Sequence, residues 1–305
     1  MPTRRVAFAA FLAFAASASL AGAAEQKFQR SFTVNGAVAL DVCTREGSVH
    51  VTAAPGTNVE ISGKVHSSSW HALGESEEMK KIAANPPVQR TGNAIHIGNH
   101  DICGGRGPQN VAIDYEVTVP RNTTVVATDG SGNITVEGVS GSLRAQAGSG
   151  NIRATGIGAN SILQSGSGTV DVQNAHGDLK VQTASGDISV RDSELTQARL
   201  GAASGGITTS NVRGGLRVET ASGDLTIGGT PLSDWKLGSA SGSIRLHPDP
   251  TAKFTLDAES GSGNIASKIP VANSGQPIHG VLRGSVNGGG PVVKMYTASG
   301  NITIE

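Results

Sequence analysis

The densest group of potential metal ligands in this 305-residue chain is the stretch HIGNHDIC, which holds His96, His100, Asp101 and Cys103. Imidazole, carboxylate and thiolate are all zinc ligands, but the spacing follows none of the paired patterns of zinc sites, and Cys103 has a competing use in a disulfide. No metal is expected there. Calcium is the next test, because calcium-binding β-rolls also use two nonapeptides per coil. They require Gly-Gly-x-Gly-x-Asp spacing, so that Asp and backbone oxygens meet between coils. Here only Asp187 and Asp224 directly follow the recurring glycine, while Asn133, Asn151, Thr169, Gly206, Ser243, Asn264 and Asn301 occupy the equivalent places. That column reads as turn chemistry. The glycine-rich turns lack the lysine and the strand-to-helix context of a phosphate loop. His50, His66, His71, His176, His247 and His279 are scattered along the chain. No cofactor is expected.

Charge offers a third possibility. Arg144, Leu163, Lys180, Arg199, Arg217, Lys236 and Lys253 follow one another at steps of 19, 17, 19, 18, 19 and 17 residues. On stacked strands this spacing predicts a basic ladder along one face. Like charges on adjacent strands are unfavourable, so their recurrence needs a reason. Either the long stems cover a thin core and the heads pair with acids such as Glu219, or the ladder meets an anionic partner. A second outward column, Thr135, Arg153, Asp171, Ser189, Thr208, Thr226 and Arg245, puts Arg153 beside Asp171. A surface ion pair accounts for those two. No second carboxylate column supplies the paired acids that a glycosidase would place on neighbouring coils.

The elements that carry these columns come from a repeat. A Ser-Gly-x-apolar unit recurs at Ser131, Ser149, Ser167, Ser185, Ser204, Ser222, Ser241, Ser262 and Ser299, with steps of 18, 18, 18, 19, 18, 19, 21 and 37 residues. The last step is about two periods. Weaker echoes at Gly141-Ser142-Leu143, Gly177-Asp178-Leu179 and Gly214-Gly215-Leu216 split the period in half. Within each half apolar residues alternate, as in Ile134/Val136, Leu143/Ala145 and Leu225/Ile227, which is the pattern of a strand with one buried side. Gly132, Gly150, Gly168, Gly186, Gly205, Gly223, Gly242, Gly263 and Gly300 are therefore structural turn residues. The fold expected is all-β: a right-handed parallel β-solenoid with coils of about 18 residues and two strands per coil, right-handed because parallel crossovers are. The left-handed hexapeptide helix also uses 18 residues per coil, but it needs an apolar residue at every sixth position, and that is not the pattern here.

Residues 1–24 read as a signal peptide: Arg4 and Arg5, an apolar run from Val6 to Leu20, then Ala21-Gly22-Ala23-Ala24. The run is too short and too weakly flanked for a stable transmembrane segment. Residues 25–127 form a less regular β-rich region and cap, with one helix over Trp70 to Ala84, and residues 128–305 form the solenoid. Glu46-Gly47-Ser48-Val49 is a degenerate first unit, and the end of the chain returns one or two final strands. Removing Arg4 and Arg5 leaves 22 basic residues against the 24 acidic ones, a net charge of about −2, which disfavours nucleic acid. In an exported chain Cys43 and Cys103 are expected to form a disulfide, two buried thiols being the alternative. Only Phe28, Phe32, Phe254, Trp70, Trp235, Tyr115 and Tyr296 remain as mature aromatics. That weakens any glycan reading.

The stretch YEVTVPRNTTVVATDGSGNITVEGVSGSLRAQAGSGNI and the ending NGGGPVVKMYTASGNITI resemble the bacterial "putative adhesin" families of unknown function, related to the head-GIN domain. The likeness runs from about Tyr115 onward, and it implies a parallel β-solenoid on an exported or envelope protein. The function expected is a non-enzymatic binding or adhesion module of the bacterial envelope, periplasmic or outside the cell. Its partner would be an anionic envelope polymer, lipid headgroups or another envelope protein. A structural assembly scaffold is the alternative, and a carbohydrate-active enzyme comes third.

Overall fold

A computed structural model describes residues 25–68, 77–98, 110–272 and 280–305. The expected signal peptide at 1–24 lies outside them, as do Trp70, His100, Asp101 and Cys103. The described chain opens with β1 (Glu25–Thr33), β2 (Val38–Thr44), β3 (Val49–Ala54) and β4 (Asn58–Ser67). There follow α1 (Glu77–Ala84), β5 (Val88–Thr91), β6 (Ala94–Ile97) and β7 (Val111–Pro120). The regular coils begin with β8 (Thr123–Asp129), β9 (Ile134–Glu137), β10 (Leu143–Ala147), β11 (Ile152–Thr155), β12 (Ser161–Ser165), β13 (Val170–Gln173) and β14 (His176–Thr183). In β15 (Ile188–Ala202), β16 (Ile207–Thr220) and β17 (Leu225–Ser241) the two half-coils fuse into one bent strand. The remainder is β18 (Ile244–Pro248), β19 (Phe254–Ser260), β20 (Ile265–Ser267), β21 (Val281–Val286), β22 (Val292–Ser299) and β23 (Ile302–Ile304).

Strand pairing resolves these into two sheets that face each other. Sheet one runs β5-β6-β2-β8-β10-β12-β14, then the second halves of β15, β16 and β17, then β22-β19-β21. Sheet two runs β1-β4-β7-β3-β9-β11-β13, then the first halves of β15, β16 and β17, then β18-β23-β20. The repeats are parallel throughout, with Leu143 opposite Ser161 and Ile152 opposite Val170 fixing an 18-residue coil. Among the described residues antiparallel strands occur only towards the two ends of the stack, in β1-β4-β7 and β5-β6 at one and in β21 at the other. Of the helix expected over Trp70 to Ala84, residues 77–84 are helical as α1, which packs on β1 and β4 with Met79 buried, and residues 70–76 lie outside the described residues. A boundary at residue 128 falls inside β8, because β2 and β3 already form a coil in register with the repeats.

At both ends spatial order departs from chain order. The coil β2–β3 sits between β6–β7 and β8–β9, although it precedes all four in sequence. The coil β22–β23 sits between β17–β18 and β19–β20, although it follows them. This explains the 37-residue step in the repeat: the coil of Ser299 lies in space before the coil of Ser262.

Three columns hold the coils together. The inward row Ala145, Leu163, Val181, Leu200, Val218, Leu237, Met295 and Ala258 is buried on sheet one, facing Ile134, Ile152, Val170, Ile188, Ile207, Leu225, Ile244 and Ile302 on sheet two. Beside it, a buried polar row replaces apolar contact with hydrogen bonds. Ser165 Oγ donates to Gly150 O (2.9 Å), Thr183 to Gly168 O (3.3 Å), Thr220 to Gly205 O (3.2 Å), Ser239 to Gly223 O (3.0 Å), Thr297 to Gly242 O (2.8 Å) and Ser260 to Gly300 O (2.8 Å). Each bond crosses from one coil to the next. The third column is the corner Gly138, Gly156, Asn174, Asp192 and Asn211, whose φ values of 74°, 63°, 54°, 51° and 52° lie in the left-handed region. Gly, Asn and Asp are the residues that tolerate it.

At the Ser-Gly-x turns adjacent coils touch backbone to backbone. A Cβ on Gly150 would overlap the carbonyl oxygen of Gly132, and one on Gly168 would overlap that of Gly150. Gly238, on the outer surface of sheet one, has open space instead. Gly150→Ala is therefore expected to cost at least about 2 kcal/mol through forced backbone movement, whereas Gly238→Ala should stay within about 0.5 kcal/mol. Denaturant midpoints of the two variants check this.

Candidate functional site

The outward column of sheet one carries the unusual charge. Strand register places Arg144, Ile162, Lys180, Arg199, Arg217, Lys236, Lys294 and Asp257 side by side on β10, β12, β14, β15, β16, β17, β22 and β19. Two members of the ladder read from sequence are displaced. Leu163 is buried and Ile162 takes the outward rung, because the inward residue before it is the small polar Ser161 rather than an aliphatic one. Lys253 precedes β19 and is not a rung; the inserted β22 contributes Lys294 next to Lys236, and β19 contributes Asp257.

Neighbouring rungs are about 4.8 Å apart at the backbone. Two unit charges at that distance repel by about 1 kcal/mol even in bulk water, and they lie within one Debye length of each other at physiological salt. The C-terminal rungs are partly neutralised: Arg217 meets Glu219 at 2.8 Å, Lys236 meets the same carboxylate at 3.9 Å, and Lys294 meets Asp257 at 3.8 Å. No ion pair to a described residue accompanies Arg144, Lys180 or Arg199, and all three are exposed. The adjacent outward column reads Gln146, Gln164, Gln182, Gly201, Glu219, Gly238 and Tyr296, with Gln164 Nε2 donating to Gln182 Oε1 at 3.2 Å. Tyr296 is 46% exposed beside the open notch at Gly238. The face thus joins unpaired cations, amide donors and one accessible aromatic ring on a rigid sheet.

On the opposite sheet the arginines of the repeat column are paired. Arg153 and Arg191 both reach Asp171, at 3.5 and 2.9 Å, and Arg245 pairs with Asp224 at 3.4 Å. Asp187 and Asp224 accept the amides of Gly206 and Ser243 from the next coil, each at 2.8 Å, just as Asn133 accepts that of Asn151 at 3.0 Å. These oxygens are used as turn ligands for backbone. Among the described residues no group of three or more His, Cys, Asp and Glu is placed to hold a metal ion. His96 pairs instead with Asp41 across β6 and β2, at 3.3 Å. Cys43 lies half-buried on β2, and its expected partner Cys103 lies outside the described residues.

Residues 112–305 match the family described as Toastrack DUF4097. Two solved structures resemble the chain along most of its length. One is described as a "putative adhesin" from Bacteroides fragilis NCTC 9343: it is 15% identical, with 92% of this chain and 97% of that one covered and a TM-score of 0.45. The other is described as a "putative cell adhesion protein" from Clostridium sporogenes ATCC 15579: it is 10% identical, with 92% and 99% covered and a TM-score of 0.23. No curated protein matches the chain. None of these matches carries the head-GIN kinship suggested by the repeat.

Because Arg144, Lys180 and Arg199 pair with no acid among the described residues, Arg144→Gln, Lys180→Gln and Arg199→Gln are each expected to leave the thermal midpoint unchanged or slightly raised. Glu219→Gln, which strips the counter-charge from two rungs, should lower it by an amount that shrinks as salt is added. Thermal melts at low and high ionic strength separate the two behaviours.

Proposed function

We propose, from the premise that the chain belongs to the Toastrack DUF4097 family, that it is an exported, non-enzymatic binding module of the cell envelope that holds a linear polyanion along sheet one. The observation that carries this reading is the run of exposed cations with no acidic partner among the described residues at Arg144, Lys180 and Arg199, continued by Arg217 and Lys236. From Arg144 to Lys236 the rungs span five strand steps, about 24 Å. A stiff row of charges at a fixed pitch suits a polymer with regularly repeated carboxylate, sulfate or phosphate groups. It suits a single small anion poorly, since the rungs stand exposed on the outer face of a sheet. Tyr296 and Gly238 add a ring and a cleft where a sugar face can lie, which favours an acidic glycan over a lipid surface.

Export belongs to the same reading. It rests on the order of charge, apolar run and small residues in the first 24 positions, and it is what makes a bridge of Cys43 to Cys103 expected. Among the described residues no helix is long and apolar enough to cross a membrane.

The test is binding of the 25–305 chain to a polyuronate, a polyphosphodiester and anionic vesicles over a salt series. The wild type is expected to bind a soluble polyanion with an affinity that falls as salt rises. The combined variant Arg144→Gln, Lys180→Gln, Arg199→Gln, Arg217→Gln should lose at least tenfold and much of the salt dependence. Equal binding by variant and wild type at every salt concentration would sink the ladder reading. Release of new reducing ends or unsaturated products from the polymer would replace the binding module with an enzyme.

A further inference from the structure

One carboxylate stands in a row where the fold otherwise uses hydroxyls and two alanines. The buried polar row of sheet one runs, in register, Thr44, Asp129, Ala147, Ser165, Thr183, Ala202, Thr220, Ser239, Thr297 and Ser260. A typical member does two things. Ser165 Oγ accepts the amide of Gly168, three residues on, and donates to the carbonyl of Gly150 in the preceding coil, both at 2.9 Å. Thr183 repeats this with Gly186 N and Gly168 O.

Asp129 divides the same two tasks between its oxygens. Its Oδ1 accepts the amides of Gly132 (2.9 Å) and Ser131 (3.1 Å), the counterpart of the accepting role. Its Oδ2 is buried and has no hydrogen-bond partner, in a residue only 2% exposed. In the preceding coil the glycine of this turn column is Gly47. A Cβ on Gly132 would overlap Gly47 O and would sit 2.5 Å from Asp129 Oδ2, so the two oxygens share one small space. An ionised Oδ2 there faces a carbonyl oxygen with no proton between them. A protonated one donates, as every bonded Ser and Thr of the row does.

We propose that Asp129 is an acid-tightened latch between the out-of-order coil β2–β3 and the repeats: as the neutral acid its Oδ2–H bonds Gly47 O, and on ionisation that bond gives way to oxygen–oxygen repulsion. The charges around it favour the neutral form. From β7, Asp114 adds negative potential, with its own Oδ1 taken by Ser48 N and Oγ and its Oδ2 3.5 Å from His66. From the β2–β3 turn, Arg45 is spent on Glu46 at 2.9 Å. Thr44 on β2 and Ala147 on β10, the neighbours in the row, bring no charge. Burial, with a smaller push from Asp114, raises the Asp129 carboxyl from its ordinary value to about 6 against the lowering effect of the two amides.

The sign follows from linkage. The folded chain holds this proton more tightly than the unfolded one, so the contribution is complete below about pH 4 and is lost as pH rises through about 6. Asp129→Asn mimics the neutral acid, since its amide nitrogen can donate to Gly47 O at any pH while Oδ1 keeps the two turn amides. Taking wild type and Asp129→Asn together cancels the titration of all other groups. The ratio of their folding constants should shift in favour of Asp129→Asn by up to roughly a hundredfold between pH 4 and pH 8, the limit set by a displacement of about two pH units. Amides of the β2–β3 coil should exchange with solvent faster at pH 8 than at pH 5, after correction for intrinsic exchange, in the wild type only. The carboxyl carbon of Asp129, followed by nuclear magnetic resonance, should titrate near 6. A titration midpoint near 4, or a ratio independent of pH, overturns the latch.

Discussion

The coils stack because at one turn of each coil nothing but backbone separates it from the next. Where Gly150 lies against Gly132, and Gly168 against Gly150, a single methyl group would occupy the position of a carbonyl oxygen. That contact sets the pitch, and the pitch sets everything that must match from coil to coil. The inward aliphatic rows close, the hydroxyls of the buried polar row reach the glycine carbonyls below them, and the outward side chains line up at strand spacing. The core within the coils is thin, made chiefly of Val, Ile, Leu and Ala. Much of the coil-to-coil specificity therefore rests on hydrogen bonds across the stack, which a greasy core of interchangeable residues could not supply as uniquely.

The large aromatic side chains are placed where regularity stops. Tyr115 and Phe28 meet edge-on at 6.3 Å in the N-terminal cap, and Phe254 begins β19 near the other end. Trp235 takes the inward position opposite Leu216, just past a register shift between β16 and β17, and donates from Nε1 to Gly214 O at 2.7 Å. Inside the repeats a ring of that size would not fit every coil, so these rings serve the irregular places, where the stack must be filled once rather than repeatedly.

Much of this was legible from residue order. The 18-residue period, the two strands per coil and the turn role of the glycines follow from local chemistry that each coil repeats. The left-handed corner at Gly138, Gly156, Asn174, Asp192 and Asn211 recurs at the same spacing, but residue identity hides it because three residue types share the same conformational tolerance. The basic column departs from its sequence spacing at two rungs, for different reasons. At Leu163 the inward residue of the coil is Ser161, so apolar alternation pointed to the wrong phase. At Lys253 the assumption that sequence neighbours are spatial neighbours failed, since β22 enters between β17 and β19. Asp129 escaped for a related reason. It sits in the quoted repeat like any turn residue, and its partner Gly47 is distant in sequence and adjacent only because β2–β3 is inserted.

The two insertions also govern the order in which the molecule can be built. A solenoid whose coils follow the chain can grow like a stack of plates, each new coil settling on the last. Here β2–β3 is synthesised before both of the coils that enclose it, and β22–β23 after both of those that it separates. One end has to keep an unfinished coil waiting for covers on either side. The other has to hold a gap open, or reopen one, until the last strands arrive. Assembly is thus a matter of closing wedges from opposite ends of the chain rather than of zipping in one direction, and the long loop closures this demands place the slow steps of folding at the two termini of the stack.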